Sequence, residues 1–71
     1  MQAISISDDF IKLGQAMTLA GLVSSGVEAK IVIQEGEVLV NGEVETRRGK
    51  KLYANDVISF QGEEVVVISE Q

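Results

Sequence analysis

A turn signal near the middle of the chain, Asn41-Gly42, constrains the fold more than any other feature of the sequence. Asn-Gly is the strongest short hairpin signal, because both residues tolerate the positive φ angles that a tight β-turn requires. The residues on either side alternate in the manner of strands, so a β-hairpin is predicted over residues 37–46. A two-residue loop would place Leu39 opposite Val44, whereas a three-residue loop ending on the glycine would place Val38 there. The sequence leaves both registers open.

Two helical patterns precede the hairpin. Apolar residues recur at helical spacing over residues 10–20, so a first helix is predicted to begin at residue 10 and to stop at Gly21. Either of two adjacent aspartates, Asp8 or Asp9, can supply the N-cap oxygen, since negative charge suits a helix start. Gly14 is unfavourable inside a helix. It is either a tolerated interior glycine or a site where another backbone approaches closely.

A second helix is predicted over residues 25–35. Ser25 and Glu28 fit a capping box, in which the serine oxygen accepts from a helix-start amide and the glutamate reaches back to the start of the helix. Gly36 is expected to end this helix.

Three further segments are predicted to be strands. Residues 3–6 alternate weakly, residues 57–60 follow a turn, and residues 64–68 are β-branched and expected to be buried. The element order is then β-α-α-β-β-β-β, which predicts an α+β domain with two short helices packed on a small, mostly antiparallel sheet. We expect one domain over residues 1–71. The chain begins at Met1 and shows no linker, so it is expected to be complete as given.

The composition excludes several classes of protein. There is no cysteine and no histidine, which removes disulfides, thiolate ligands and the commonest general base. Helix capping and a turn explain the carboxylate pairs Asp8-Asp9 and Glu63-Glu64, and no catalytic constellation, nucleotide loop or metal-ligand spacing is found. We therefore expect no enzyme activity, no cofactor, no metal and no small-molecule substrate.

The chain shows no targeting signal. Its N-terminus lacks the basic and apolar regions of a signal peptide. No stretch approaches the roughly 20 apolar residues that a membrane span needs. A soluble, cytoplasmic and monomeric protein without a membrane partner is expected.

The basic residues are concentrated in the stretch Thr46–Lys51, which contains four of the six in the chain. These four are Arg47, Arg48, Lys50 and Lys51. Two basic and eleven acidic side chains make up the remainder, and the net charge is −5. A bend at Gly49 is expected to collect the four cations on one side of a loop, where arginine can grip a phosphate with two hydrogen bonds. Lys12 and Lys30, on the flanks of the two predicted helices, can reach a common solvent face.

The residues from the second helix to the basic stretch resemble a known family. Residues 33–42 fit the pattern I-x-x-G-x-V-x-V-N-G, and residues 40–48 fit V-N-G-x-x-E-T-R-R. Over residues 8–62 the chain resembles the S-four-type RNA-binding domain, or alpha-L motif, and in particular the small stand-alone bacterial proteins of YbcJ/YaaA type. The resemblance implies that the two helices and the hairpin form a surface that binds structured RNA, and only the resemblance implies that the solvent face of Lys12 and Lys30 adjoins the basic patch and extends it. The implied ligand is ribosomal RNA, transfer RNA or a ribonucleoprotein, and the implied process is bacterial translation.

The chain departs from this family at the second helix. Many such domains carry an arginine near its start, whereas residues 25–29 contain no basic residue and Lys30 comes later. The basic stretch is therefore expected to carry more of the RNA contact. Two contacts stay open: Tyr53 either closes a sheet edge or stacks on a base, and the amides at the Ser25 helix start can hold a phosphate, which nearby Glu28 opposes.

Two functional hypotheses follow from the basic stretch. The first is a non-catalytic, ribosome-associated protein that contacts the phosphate backbone of structured RNA through the basic stretch and two helix lysines, with binding that weakens steeply as salt rises. The second is a protein-interaction adaptor that docks an acidic partner through the same stretch. A solvated turn without function is also open, in which the cations pair with nearby acidic residues: Glu43, Glu45, Glu63 or Glu64.

Overall fold

Two helices cover one face of a five-stranded mixed sheet in the computed structural model, which describes residues 1–70. The helices are α1 (Leu13–Leu19) and α2 (Gly26–Gln34). The strands are β1 (Gln2–Ile6), β2 (Ile11–Lys12), β3 (Val38–Val40), β4 (Glu43–Val44), β5 (Lys51–Leu52), β6 (Val57–Phe60) and β7 (Glu63–Ser69). The predicted α+β class is confirmed. Strands β2 and β5, which pair with each other outside the main sheet, were not predicted.

The main sheet joins the two ends of the chain. Its strand order is β1-β7-β6-β3-β4, and every neighbouring pair is antiparallel except β1 and β7, which run parallel. Ile4 of β1 is in register with Val67 of β7, and both side chains are buried. The first predicted strand therefore finds its partner at the far end of the sequence.

Two tight turns fix the antiparallel registers. Asn41 and Gly42 have φ angles of 52° and 84°, and Leu39 lies opposite Val44. The two-residue loop is therefore the correct alternative for the predicted hairpin. The turn between β6 and β7 has the same backbone signature, because Gln61 and its following glycine also have positive φ angles, of 51° and 81°.

The core lies between the helices and the inner face of the sheet. Alternate strand residues point inward, and α1 and α2 contribute one buried stripe each. Strand β7 follows this alternation: Val65 and Val67 are buried, whereas Val66 is half-buried and Ile68 is exposed. The expectation that residues 64–68 are buried throughout is therefore wrong, because the outer face of this strand has no covering element among the described residues.

The first helix begins three residues later than predicted, and neither Asp8 nor Asp9 caps it. Its first two amides bond to carbonyls from a distant loop instead: Leu13 N–H donates to the Lys50 carbonyl at 2.8 Å, and Gly14 N–H donates to the Arg48 carbonyl at 3.1 Å. These bonds satisfy donors that a helix leaves free at its N-terminus.

The other predicted helix boundaries agree closely with the structure. Gly21, with a φ angle of 74°, follows α1, and Gly36, with a φ angle of 80°, follows α2. Ser25 is the N-cap of α2. No helix within residues 1–70 is long and apolar enough to cross a membrane.

Candidate nucleic-acid interface

The stretch Thr46–Lys51, called the basic loop from here on, is docked against the start of α1. The two hydrogen bonds from the Leu13 and Gly14 amides hold its backbone, and a turn bond from the Lys50 amide to the Arg47 carbonyl, at 3.2 Å, closes it internally. A Cβ atom on Gly14 would lie 2.6 Å from Cγ of Arg48. The close approach at this glycine is therefore made by the Arg48 side chain and not by a backbone, as the alternative had it, since the Arg48 carbonyl oxygen would lie 3.7 Å from the same Cβ.

The cations of the basic loop line two adjoining grooves that meet at Gly49. The helix-side groove, of about 580 Å³, is lined by Lys12, Gly14, Gln15, Thr18, Gly26, Arg48 and Gly49. The aromatic-side groove, of about 440 Å³, is lined by Arg47, Gly49, Lys50, Lys51 and Tyr53. The sequence predicted that the bend would collect all four cations on one side. The structure divides them instead, because the loop backbone rests on α1 and leaves space on both of its flanks.

Arg47 is paired with the carboxylate of Glu45, the residue just before the basic loop. Its Nε donates to Oε2 of Glu45 at 2.9 Å, its Nη2 donates to Oε1 at 3.1 Å, and its backbone N–H donates to Oε2 at 3.0 Å. The side-chain hydrogen bonds from Arg47, assisted by its backbone amide and by the charges of Arg47 and Lys50, lower the pKa of Glu45 to about 2. The same pair raises the pKa of Arg47. For this one residue, the solvated-turn alternative describes the structure.

The remaining basic side chains have no such partner. Within residues 1–70, the pair of Arg47 and Glu45 is the only ion pair shorter than 4 Å. The other five basic residues of the predicted site therefore carry no bound carboxylate in this part of the chain. They are Arg48, Lys12, Lys30, Lys50 and Lys51. Their charges are available to an external anion.

The two lysines outside the loop are placed differently from each other. Lys12 was predicted to lie on a helix flank, and this is wrong: it is the N-cap residue of α1, at the end of β2. There it is exposed and lines the helix-side groove with Arg48. This follows from the later start of α1. Lys30 is exposed on α2, one turn beyond Gly26, and lines neither groove. The structure thus brings Lys12 to the basic loop and leaves Lys30 apart.

An aromatic cluster borders the second groove. The rings of Phe10 and Tyr53 have centroids 6.2 Å apart and are tilted by 53°, and Nζ of Lys51 lies 4.7 Å from the Phe10 centroid. Phe10 is half-buried. It precedes β2 and lies outside the helix. Tyr53 is 50% exposed.

The start of α2 is already occupied by its own acidic side chain. Glu28 N–H donates to Oγ of Ser25 at 3.2 Å, as the predicted capping box requires. The Glu28 carboxylate accepts from the Ser24 backbone N–H at 2.7 Å and from the Ser24 hydroxyl at 3.2 Å, one residue before the expected amide. A carboxylate at this helix start repels a phosphate, so this position is less suited to an anion than the basic loop.

The grooves offer hydrogen-bond donors and positive charge, which suits an anion. Within the described residues, no three or more side chains of the metal-ligating types His, Cys, Asp and Glu cluster as a metal site requires. The molecule is a small α+β domain that presents a cationic loop next to a helix pair and a β-hairpin.

The chain belongs to the S4 domain family, whose model matches residues 4–68. It is 49% identical over 59 residues to the "Probable ribosome maturation protein RlbA" of Bacillus subtilis (strain 168), a match that covers 83% of each chain. It is 42% identical over 59 residues to the "Putative RNA-binding protein YbcJ" of Escherichia coli (strain K12), covering 83% of this chain and 84% of that one.

The fold agrees with a solved structure of the second relative. The solution structure of YbcJ from Escherichia coli superposes with a TM-score of 0.74 at 39% identity, covering 96% of this chain and 87% of the other. That structure is described as revealing an alfaL motif involved in RNA-binding. The resemblance seen in the sequence is therefore confirmed.

Proposed function

We propose that this protein binds structured RNA through its phosphate backbone and catalyses no reaction on it. The observation that carries the proposal is the helix-side groove, where Lys12 and Arg48 converge on a surface whose backbone is fixed by hydrogen bonds to α1. The names of the two relatives, one an RNA-binding protein and the other a ribosome maturation protein, support the same class of ligand.

The available charges suit local contact with a phosphate backbone. Arg48 can give one phosphate two parallel hydrogen bonds, and Lys12 adds a second positive charge from a different element. Lys50 and Lys51 supply charge in the adjoining groove, and Arg47 can join them if a phosphate displaces Glu45. Lys30 would extend the contact only to a ligand large enough to cross α2.

The ligand is proposed to be ribosomal RNA, with transfer RNA or a ribonucleoprotein as the other candidates. The net charge of −5 disfavours general binding of polyanions, because the field of the whole surface repels them beyond the loop. Recognition then depends on an RNA shape that brings phosphates to the loop without approaching the acidic remainder. We propose that the protein acts as a monomer in the bacterial cytoplasm.

A pair of charge-matched variants tests this function. Arg48→Gln/Lys50→Gln removes two positive charges from the basic loop, and Gln34→Glu/Gln61→Glu changes the net charge by the same amount at exposed positions on α2 and on the β6–β7 turn. Binding to labelled ribosomal RNA and transfer RNA is measured by fluorescence anisotropy at 50 and 200 mM salt. The loop variant is expected to lose most of its affinity, whereas the control variant stays close to the wild type.

Equal RNA affinity of the loop variant and the wild type contradicts the proposed function. In that case, loss of a protein partner from a pull-down with the loop variant would support the adaptor hypothesis. Loss of affinity in both variants would show that total charge, not the basic loop, determines binding.

A further inference from the structure

We propose that Tyr53 stacks on an unpaired base, so that the preferred RNA carries a single-stranded nucleotide next to its structured part. This inference rests on the proposed RNA-binding function and adds the kind of nucleotide that the aromatic-side groove accepts. Sequence alone did not separate this role from closure of a sheet edge.

Tyr53 has one aromatic neighbour and remains half exposed. It packs against Phe10 at a centroid distance of 6.2 Å, and its backbone N–H donates to Oδ2 of Asp56 at 2.8 Å, which fixes the start of the turn after β5. Half of the residue nevertheless remains exposed. Tyr53 comes directly after β5, whose pairing with β2 ends with Leu52 opposite Ile11, so the residue lies beyond the end of this strand pair.

The exposed ring lies in a cationic groove. Tyr53 lines the aromatic-side groove together with Arg47, Lys50 and Lys51. Nζ of Lys51 lies 4.7 Å from the centroid of Phe10, which places its charge next to the aromatic pair. A nucleotide has a flat base joined to a phosphate, and this groove offers an aromatic face together with cations. Its volume of about 440 Å³ lies within the usual range for small-ligand sites.

Only an unpaired base can use such a face. In an RNA duplex the base faces are stacked on one another and the wide groove exposes mainly hydroxyl groups and base edges. Base stacking on an aromatic side chain therefore selects loops, bulges and overhangs. The helix-side groove, which has cations but no aromatic lining, can bind the phosphates of the structured part at the same time.

The fluorescence of the protein provides a direct test. Tyr53 is the sole tyrosine and the chain has no tryptophan, so tyrosine emission reports on this one ring. Two RNA probes are compared, a 12-base-pair duplex and the same duplex with a three-adenosine 3′ overhang. The overhang probe is expected to quench the emission and to bind more tightly, whereas the blunt duplex binds with little change in emission.

Two substitutions separate stacking from structure. Tyr53→Leu is expected to lose about 5- to 150-fold in affinity for the overhang probe, the range typical of losing one stacked base, and to bind the blunt duplex as the wild type does. Tyr53→Phe keeps the ring and is expected to stay within about twofold of the wild type on both probes. Equal melting temperatures of the three proteins exclude a loss of folding as the cause.

The outcomes distinguish this inference from the function on which it rests. Binding of both probes with equal affinity and unchanged tyrosine emission would overturn stacking and leave phosphate binding intact. A Tyr53→Leu protein that weakens on both probes equally would also overturn it, because the ring would then support the loop instead of a base. If neither probe binds at 50 mM salt, ribosomal RNA is used in their place: no binding of that RNA overturns the proposed function and this inference together, whereas binding without a change in tyrosine emission overturns this inference alone.

Discussion

In the proposed RNA complex, a phosphate would compete with Glu45 for the guanidinium of Arg47. The two-point contact at 2.9 and 3.1 Å uses the same donors that would grip a phosphate. Glu45→Gln is therefore expected to raise RNA affinity and to make the dependence of log K on log salt steeper by about one phosphate contact. Anisotropy titrations of labelled ribosomal RNA from 50 to 200 mM salt measure both quantities.

Glu43 provides the matched control. It is an exposed carboxylate on β4, two residues before Glu45, and has no ion pair with Arg47 in the described residues. Glu43→Gln changes the net charge equally and is expected to leave the salt dependence almost unchanged. If the two variants gain affinity equally, the gain comes from the change in net charge, and the ion pair with Glu45 does not weaken RNA binding by Arg47.

The same ion pair predicts a pH dependence of stability. The pKa of Glu45 falls from 4.5 to about 2 on folding, so its stabilising effect is complete above the unfolded pKa and disappears as pH falls from about 4.5 towards 2. Because Arg47 is 70% exposed at its side chain, the effect should be about 1 kcal/mol or less. Urea unfolding of wild type and Glu45→Gln at pH 6 and pH 2.5 measures it.

The stability difference between these two proteins is expected to shrink at the lower pH. Comparing the two proteins removes the contribution of the other carboxylates, which titrate in both. If the difference in the free energy of unfolding is the same at pH 6 and pH 2.5, the charge of Glu45 does not stabilise the folded protein.

At the scale of elements, α1 and the basic loop stabilise each other through a contact that only glycine permits. Alanine at position 14 would favour the helix by roughly 1 kcal/mol, but its Cβ would lie 2.6 Å from Cγ of Arg48. Gly14→Ala is therefore expected to stabilise an Arg48→Ala protein by roughly that amount and to give no gain in the wild type. Urea unfolding of the four proteins of this double-mutant cycle measures the coupling.

An equal effect of Gly14→Ala in both backgrounds would mean that the Arg48 stem moves aside without cost. In that case the loop would not be positioned by its packing on α1. RNA affinity of the Gly14→Ala protein gives an independent reading, since a displaced Arg48 side chain should weaken binding while the other loop cations remain.

Local chemistry explains which elements could be predicted from the sequence. The Asn41-Gly42 turn, the helix stop at Gly21 and the cap at Ser25 each depend on residues within a few positions of one another. The start of α1 depends instead on carbonyls of Arg48 and Lys50, more than thirty residues away. The parallel pairing of β1 with β7 is non-local in the same way, so no pattern near either strand indicates it.

The candidate site likewise has some features that the local sequence shows and others that depend on contacts between distant residues. The clustering of cations is visible in composition, whereas their distribution over two grooves depends on how the loop rests on α1. Pairing of the loop cations with Glu45 was among the alternatives that the sequence left open, and for Arg47 the structure shows it. The two residues are two positions apart, and in extended chain such side chains lie on the same side. Placing Lys12 on a helix flank was wrong because the predicted helix began too early.

At the scale of the whole molecule, a cationic loop on an acidic body makes binding depend on shape. Outside the basic loop the chain carries two basic and eleven acidic side chains. An RNA that wraps around the molecule meets repulsion, while one that presents phosphates to the loop alone meets attraction. The hydrogen bonds that hold the loop backbone on α1 would lower the entropy lost on binding, because the backbone is already in place.

This arrangement predicts how strongly salt weakens binding. Four cations, Lys12, Arg48, Lys50 and Lys51, line the two grooves without a carboxylate partner in the described residues. If each contacts one phosphate, log K should fall with log salt with a slope of about −3 to −4. Arg48→Gln/Lys50→Gln should reduce that slope by about half, and Gln34→Glu/Gln61→Glu should not. A slope near zero in the wild type would mean that contacts other than phosphate hold the RNA, since counterion release accompanies every neutralised phosphate.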